Sequence, residues 1–213
     1  MVGTSSATPV TVTIAPPNMQ AVAVNIVGRA PYMQIKFGEK ALQAMVAKQT
    51  AGSTARKGSK RVARDFDADF RAAQHRTSDG WVGIPAAAFR NACIDACRMV
   101  GFQMTRAKMS IFVEPDGFDA EDGTPLVRLI ADEPEKNMMA VRNDTGVADI
   151  RVRPMWRTWG ARVRVTFDAD QFTPTDVVNL IARAGVHVGI GEGRPFSKTS
   201  AGLGFGVFDV VAS

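Results

Sequence analysis

The chain has 213 residues, two cysteines, 46% hydrophobic residues and a formal net charge of +5. That length suffices for one sizeable domain with its own core, so a disulfide-stapled scaffold is excluded, and the positive balance points to an acidic partner, nucleic acid first. No apolar run reaches transmembrane length, and the N-terminus lacks the basic and apolar regions of a signal peptide, so a cytoplasmic protein with no membrane partner is expected.

Residues 1–20 read as a flexible N-terminal arm rich in Thr, Ser and Pro, in which Val10, Val12 and Ile14 alternate like a short strand. A single domain is expected over 21–213. Ala21 to Phe37 is strand-like with a break at Gly28 to Pro31, and Glu39 to Lys48 has the spacing of a short helix. Composition then changes over residues 49–80. From Lys48 to Arg64 there are six basic residues and no acid, which predicts a mobile basic insertion outside the core.

Order is predicted to return at Trp81. Phe89, Cys93, Ala96, Cys97 and Val100 form the apolar face of a helix that Gly101 ends. Cys93 and Cys97 share that face and read as small buried residues. A strand is predicted at Lys108 to Val113, a solvated acidic hairpin over about 114–145, and strands at Met138 to Val141 and Ile150 to Pro154. Arg162 to Phe167 alternates strictly and predicts a strand. Thr173 and Pro174 suit the N-cap and first position of a helix that runs to Ala184, before a strand at Val207 to Val211.

Between that last helix and strand lie seven glycines: Gly185, Gly189, Gly191, Gly193, Gly202, Gly204 and Gly206. Glycine permits positive φ and close backbone approach, and Arg194 and Lys198 add charge. A dinucleotide fingerprint needs the order strand, glycine loop, helix. The order helix, loop, strand excludes it, and the Lys198-Thr199 pair lacks the glycines of a P-loop. What remains is a loop that approaches a polyanion, one that meets a neighbouring subunit, or one whose glycines serve only its own path.

The stretch from Ile150 to Phe167 carries Arg151, Arg153, Arg157, Arg162 and Arg164 with Trp156 and Trp159, and no acid. Guanidinium groups suit phosphates and indole rings suit bases, which points to single-stranded nucleic acid. The alternative is a hairpin with core tryptophans and a solvated arginine face. Candidate nucleic-acid contacts are therefore Arg56, Lys57, Lys60, Arg61, Arg64, Arg90, Arg153, Trp156, Arg157, Trp159, Arg194 and Lys198. No catalytic residue, metal site or cofactor is expected. His75 and His187 are the only histidines, and Asp65, Asp67 and Asp69 make a weak metal pattern better explained by capping or solvation.

Three of these segments resemble the RAMP superfamily, the modified RNA-recognition-motif proteins that form the backbone of CRISPR effector complexes. They are the C-terminal GVHVGIGEGRPFSKTSAGLGFGVFDV, the turn Gly83 to Arg90 (similar to the family's IPGSSLKGALR), and the early strand AVAVNIVGRAPYMQIKF followed by a basic insertion. Ala86 to Ala88 stand where the family has glycine and serines, and no aspartate matches the one used by its RNA-cleaving members. The chain also resembles phage or prophage proteins. The resemblance implies an α+β, ferredoxin-like or RRM-like antiparallel sheet with helices on one face, from which the basic insertion and acidic hairpin project. It further implies a non-catalytic protein that coats single-stranded nucleic acid, RNA rather than DNA, as a homo-oligomer or filament, with other effector subunits as further partners. Two alternatives stand beside it: a structural or assembly protein of a virus or other complex, and a metal-independent endoribonuclease using His187 or His75.

Overall fold

The computed structural model describes residues 14–36, 64–142, 148–198, 200 and 202–211. The helix expected at 39–48 and most of the basic insertion lie outside them. In chain order the elements are β1 (Met19–Gly28), β2 (Tyr32–Met33), α1 (Phe66–Ala72), β3 (Gly83–Pro85), α2 (Ala86–Ala96), α3 (Met104–Ser110), β4 (Ile111–Glu114), β5 (Gly117–Phe118), β6 (Pro125–Arg128), β7 (Ile130–Ala131), β8 (Glu135–Arg142), β9 (Ala148–Trp156), β10 (Trp159–Asp168), α4 (Pro174–Arg183) and β11 (Phe208–Val211). The fold is mixed α and β, and every strand pairing among the described residues is antiparallel.

The main sheet has the order β11-β1-β10-β4, with β7 also on β10. Smaller sheets run β2-β9-β8 and β3-β6-β5. Alternation sets the two faces of the main sheet, because successive side chains on a strand point oppositely. Val24 and Ile26 of β1, Val163, Val165 and Phe167 of β10, and Phe208 of β11 are buried together with Phe89 and Cys93 of α2 and Val177, Leu180 and Ile181 of α4. Phe89 meets Phe208 edge to face, with ring centroids 6.0 Å apart. The helices α2 and α4 thus cover one face. Burial pushes the Cys93 thiol up to about 12, which fits its reading as a small core residue.

α4 forms where its chemistry requires. Thr173 caps the amide of Asp176, and Asp176 reaches back to the Thr173 amide, a reciprocal capping box. Its last turn widens into a π-helical turn over Ala184–Val188 before the glycine loop.

Four local expectations change. Val100, expected on the apolar face of α2, lies beyond that helix and is exposed. Lys108 is in α3, and the strand begins only at Ile111. The 114–145 segment is not a simple solvated hairpin, because Leu126 and Val127 of β6 are fully buried. Residues 73–77 belong to the interior rather than to a mobile insertion: Ala73, Gln74, His75 and Thr77 are all buried. The reason is a polar network that composition alone does not reveal. The Gln34 side chain donates to the Gly83 carbonyl at 2.7 Å and accepts from the His75 amide at 2.9 Å. The Lys36 ammonium donates to Asp119 at 2.7 Å, and His75 Nδ1 lies 2.9 Å from the same carboxylate. Asp65, first of the alternating aspartates, is the N-cap of α1.

Candidate nucleic-acid interface

Most of the expected contact residues are already engaged within the fold. Trp156 is 3% exposed and stacks on Tyr32, with ring centroids 5.6 Å apart. Trp159 is 2% exposed, and its Nε1 donates to the Ala30 carbonyl at 2.8 Å. The expectation that these indoles stack on bases is therefore corrected. They fill the junction between the main sheet and the β2-β9-β8 sheet, where burying so large an apolar ring outweighs leaving it in water.

The cations divide in the same way. Arg153 donates to Glu192 at 2.6 Å, and Arg151 reaches the other oxygen of that carboxylate at 3.2 Å. The Arg153 and Glu192 side chains are about equally buried, at 16% and 15% exposure, so Arg153 is not presented outward. Arg90 donates to the carbonyls of Ile111 and Lys108 and lies over Phe112, tying α2 to β4. Arg64 pairs with Asp69 and Asp149, and Arg157 with Glu135. All three pairs are exposed, and exposed pairs are weak enough to exchange a carboxylate for a phosphate. Arg194 donates to the Gly191 carbonyl at 3.0 Å, while Lys198 is exposed. Arg56, Lys57, Lys60 and Arg61 lie outside the described residues.

The glycine loop folds onto its own domain. Gly191 has φ +79°, and a Cβ there would strike the Met33 carbonyl and the Tyr32 ring. A Cβ at Gly206 would strike the Ile190 backbone, and the Gly206 amide donates to the Pro31 carbonyl at 2.8 Å. These two glycines meet an internal need for close approach.

The histidines lie on separate elements. His75 is buried against Asp119, and His187 is exposed on the π-helical turn. His75, Asp119 and Asp122 cluster closely enough to suggest a metal. Lys36 already supplies the cation there, bonding both oxygens of Asp119. Burial pushes the Asp119 carboxyl up, but hydrogen bonds from Lys36, the Glu121 amide and His75 outweigh it and hold the group below its ordinary range.

The remaining candidate surface is the other face of the main sheet. Among the described residues no helix packs on it. The pairing places Asn25 opposite Arg162, Ala23 opposite Arg164 and Val27 opposite Gly160. Val27, Phe112, Ile130 and Val211 are exposed on this face at 46, 42, 62 and 38%. Two shallow depressions meet at Ile130. One, of about 320 Å³, is lined by Trp81, Asp116, Arg128, Ile130, Arg162 and Arg164. The other, of about 530 Å³, extends past Asn25, Val27 and Val211. Arg164 is held by Glu114 at 3.3 Å and Asp116 at 3.1 Å, whereas Arg162 is exposed with no ion pair among the described residues. The alternation in RVRVTF signals this outward arginine pair. Nothing local signals that Trp81 and Arg128, which are distant in sequence, would join it.

No protein-family model matches the chain, and no curated protein matches it in sequence.

Proposed function

We propose that the protein is a non-catalytic, sequence-tolerant binder of single-stranded nucleic acid, RNA in preference to DNA, that self-assembles along the strand. The observation that carries this reading is the face of the main sheet on which no helix packs among the described residues. It combines outward arginines, exposed apolar side chains and a continuous shallow track. Such a surface suits a flexible polyanion whose bases can lie on apolar groups while guanidinium groups meet phosphates. The basic residues of 48–64 and Lys198 add further charge of the same sign.

Topology supports the ferredoxin-like part of the reading. Taken in chain order, β1, α2, β4, β10, α4 and β11 run βαββαβ, and the four strands lie in the sheet in the order fourth, first, third, second. That arrangement, with the glycine loop between α4 and β11, is what a RAMP-like protein would have. Self-assembly is supported by a second feature. A groove of about 760 Å³ beside α4 is lined by apolar residues such as Val100, Phe102 and Val186 and by polar ones such as Asp176, Arg183 and His187. Val100 and Val186 are exposed, as are nearby Met99 and Phe196. Apolar surface of this kind fits a neighbouring copy.

The test is fluorescence anisotropy with labelled single-stranded RNA and DNA of about 30 nucleotides at about 50 mM salt. The expected result is tight binding to RNA that weakens steeply as salt rises, with sedimentation showing several copies per strand. Absence of binding to either strand at that salt overturns the proposal.

A further inference from the structure

We infer that Trp81 and Arg128 form a stacking subsite for one base of the bound strand, with Arg162 receiving the adjoining phosphate. The inference rests on the nucleic-acid reading above and adds to it a particular place and a particular contact.

The indole of Trp81 rests on backbone on one side. Gly83 of β3 and Gly117 of β5 lie against its six-membered ring: a Cβ on Gly117 would come within 2.8 Å of Cζ2, and one on Gly83 within 3.0 Å of Cζ3. The Leu126 side chain borders the space at Gly83 and Thr77 that at Gly117, so the ring edge seats where glycine leaves room and a larger residue at either position would displace it. Arg128, on the strand between those two, places its guanidinium carbon 5.8 Å from the ring centroid. Arg128 is exposed and has no carboxylate partner among the described residues, so its planar group can slide off the ring or sandwich a base against it. Bases stack on indole and guanidinium planes alike, whatever their identity.

The phosphate side is built differently. Asp116 accepts from the Arg128 amide at 2.8 Å and pairs with Arg164 at 3.1 Å, so one carboxylate ties β6 to β10 across the depression. Glu114 holds Arg164 from the other side and also bonds Thr166. Arg164 is thereby fixed in orientation with its charge offset, while Arg162 on the same face keeps its charge available. The depression has a volume of about 320 Å³. Ile130 lines both this depression and the second one, so the two adjoin.

The experiment uses the full chain and two labelled strands of equal length, an oligouridylate and an abasic ribose-phosphate strand. Trp81→Ala is expected to weaken binding to oligouridylate about tenfold, as loss of one stacked base does, and to leave binding to the abasic strand unchanged. Trp81→Phe is expected to keep most of the affinity, and circular dichroism melts show whether each variant folds. If Trp81→Ala leaves oligouridylate binding untouched, or weakens both strands equally, the subsite is overturned while the wider reading stands. If the wild-type protein binds neither strand, both fall together.

Discussion

Trp159 and Trp81 are the same residue in opposite circumstances, and the contrast separates a side chain used up by the fold from one that is not. Trp159 lies between strands, its ring against Tyr32 and Phe208 and its N–H on the Ala30 carbonyl. Every face of it is used by the fold. Trp81 lies against Gly83 and Gly117 and under Arg128, which has no carboxylate partner among the described residues. The arginines follow suit. Arg153, near Trp156, shares Glu192 with Arg151, whereas Arg162 beside the Trp81 depression has no carboxylate partner among the described residues. Within the one run rich in Arg and Trp, from Ile150 to Phe167, Trp156, Trp159 and Arg153 serve the fold while Arg162 on its alternating strand has no ion pair among the described residues. What a residue can bind depends on which of its faces the fold leaves unused.

Mutations can break this contrast at either end. Trp159→Ala is expected to cost about 3–5 kcal/mol of stability in urea unfolding, the loss typical of emptying a large core site. A cost under about 1 kcal/mol would mean that Trp159 is not the core residue described. Asp119→Asn is expected to cost about 3 kcal/mol, because Lys36 keeps only the exposed Glu121 as its partner. The same carboxylate predicts a pH dependence. Its folded pKa is lowered, so its contribution is complete above the unfolded value near about 4 and is lost as pH falls through the folded value. Thermal melts of wild type should therefore lose stability at acid pH more steeply than those of Asp119→Asn. Glu192→Gln is expected to cost about 1–3 kcal/mol by leaving Arg153 half-buried without its charge partner. Arg162→Ala is expected to change stability by less than about 0.5 kcal/mol. It should nevertheless weaken nucleic-acid binding and lower the salt slope by about one. A large stability loss there would place Arg162 on the structural side of the contrast.

Much of the scaffold was legible in the residues. The Thr173-Pro174 start and apolar face of α4, the alternation of β10 and the apolar face of α2 are local signals. They stand within one or two turns of the elements they specify. The site was less legible. Arg90, Arg153 and Arg194 looked like free cations because their partners, a carbonyl of β4, a glutamate and a carbonyl of the glycine loop, are not visible in a composition count. The segment 73–77 looked polar and mobile because Gln34, Lys36 and Asp119, which bury it, come from elsewhere in the chain.

Sequence by itself determined which residues alternate, where helices begin and where glycine permits tight turns, because these depend on neighbours a few bonds away. Tertiary structure alone decided which tryptophans are buried, which arginines are neutralised and which sheet face α2 and α4 cover. Burial and ion pairing are set by groups far apart in the chain. Trp81, Arg128 and Arg162 come together only when β3, β6 and β10 are folded side by side.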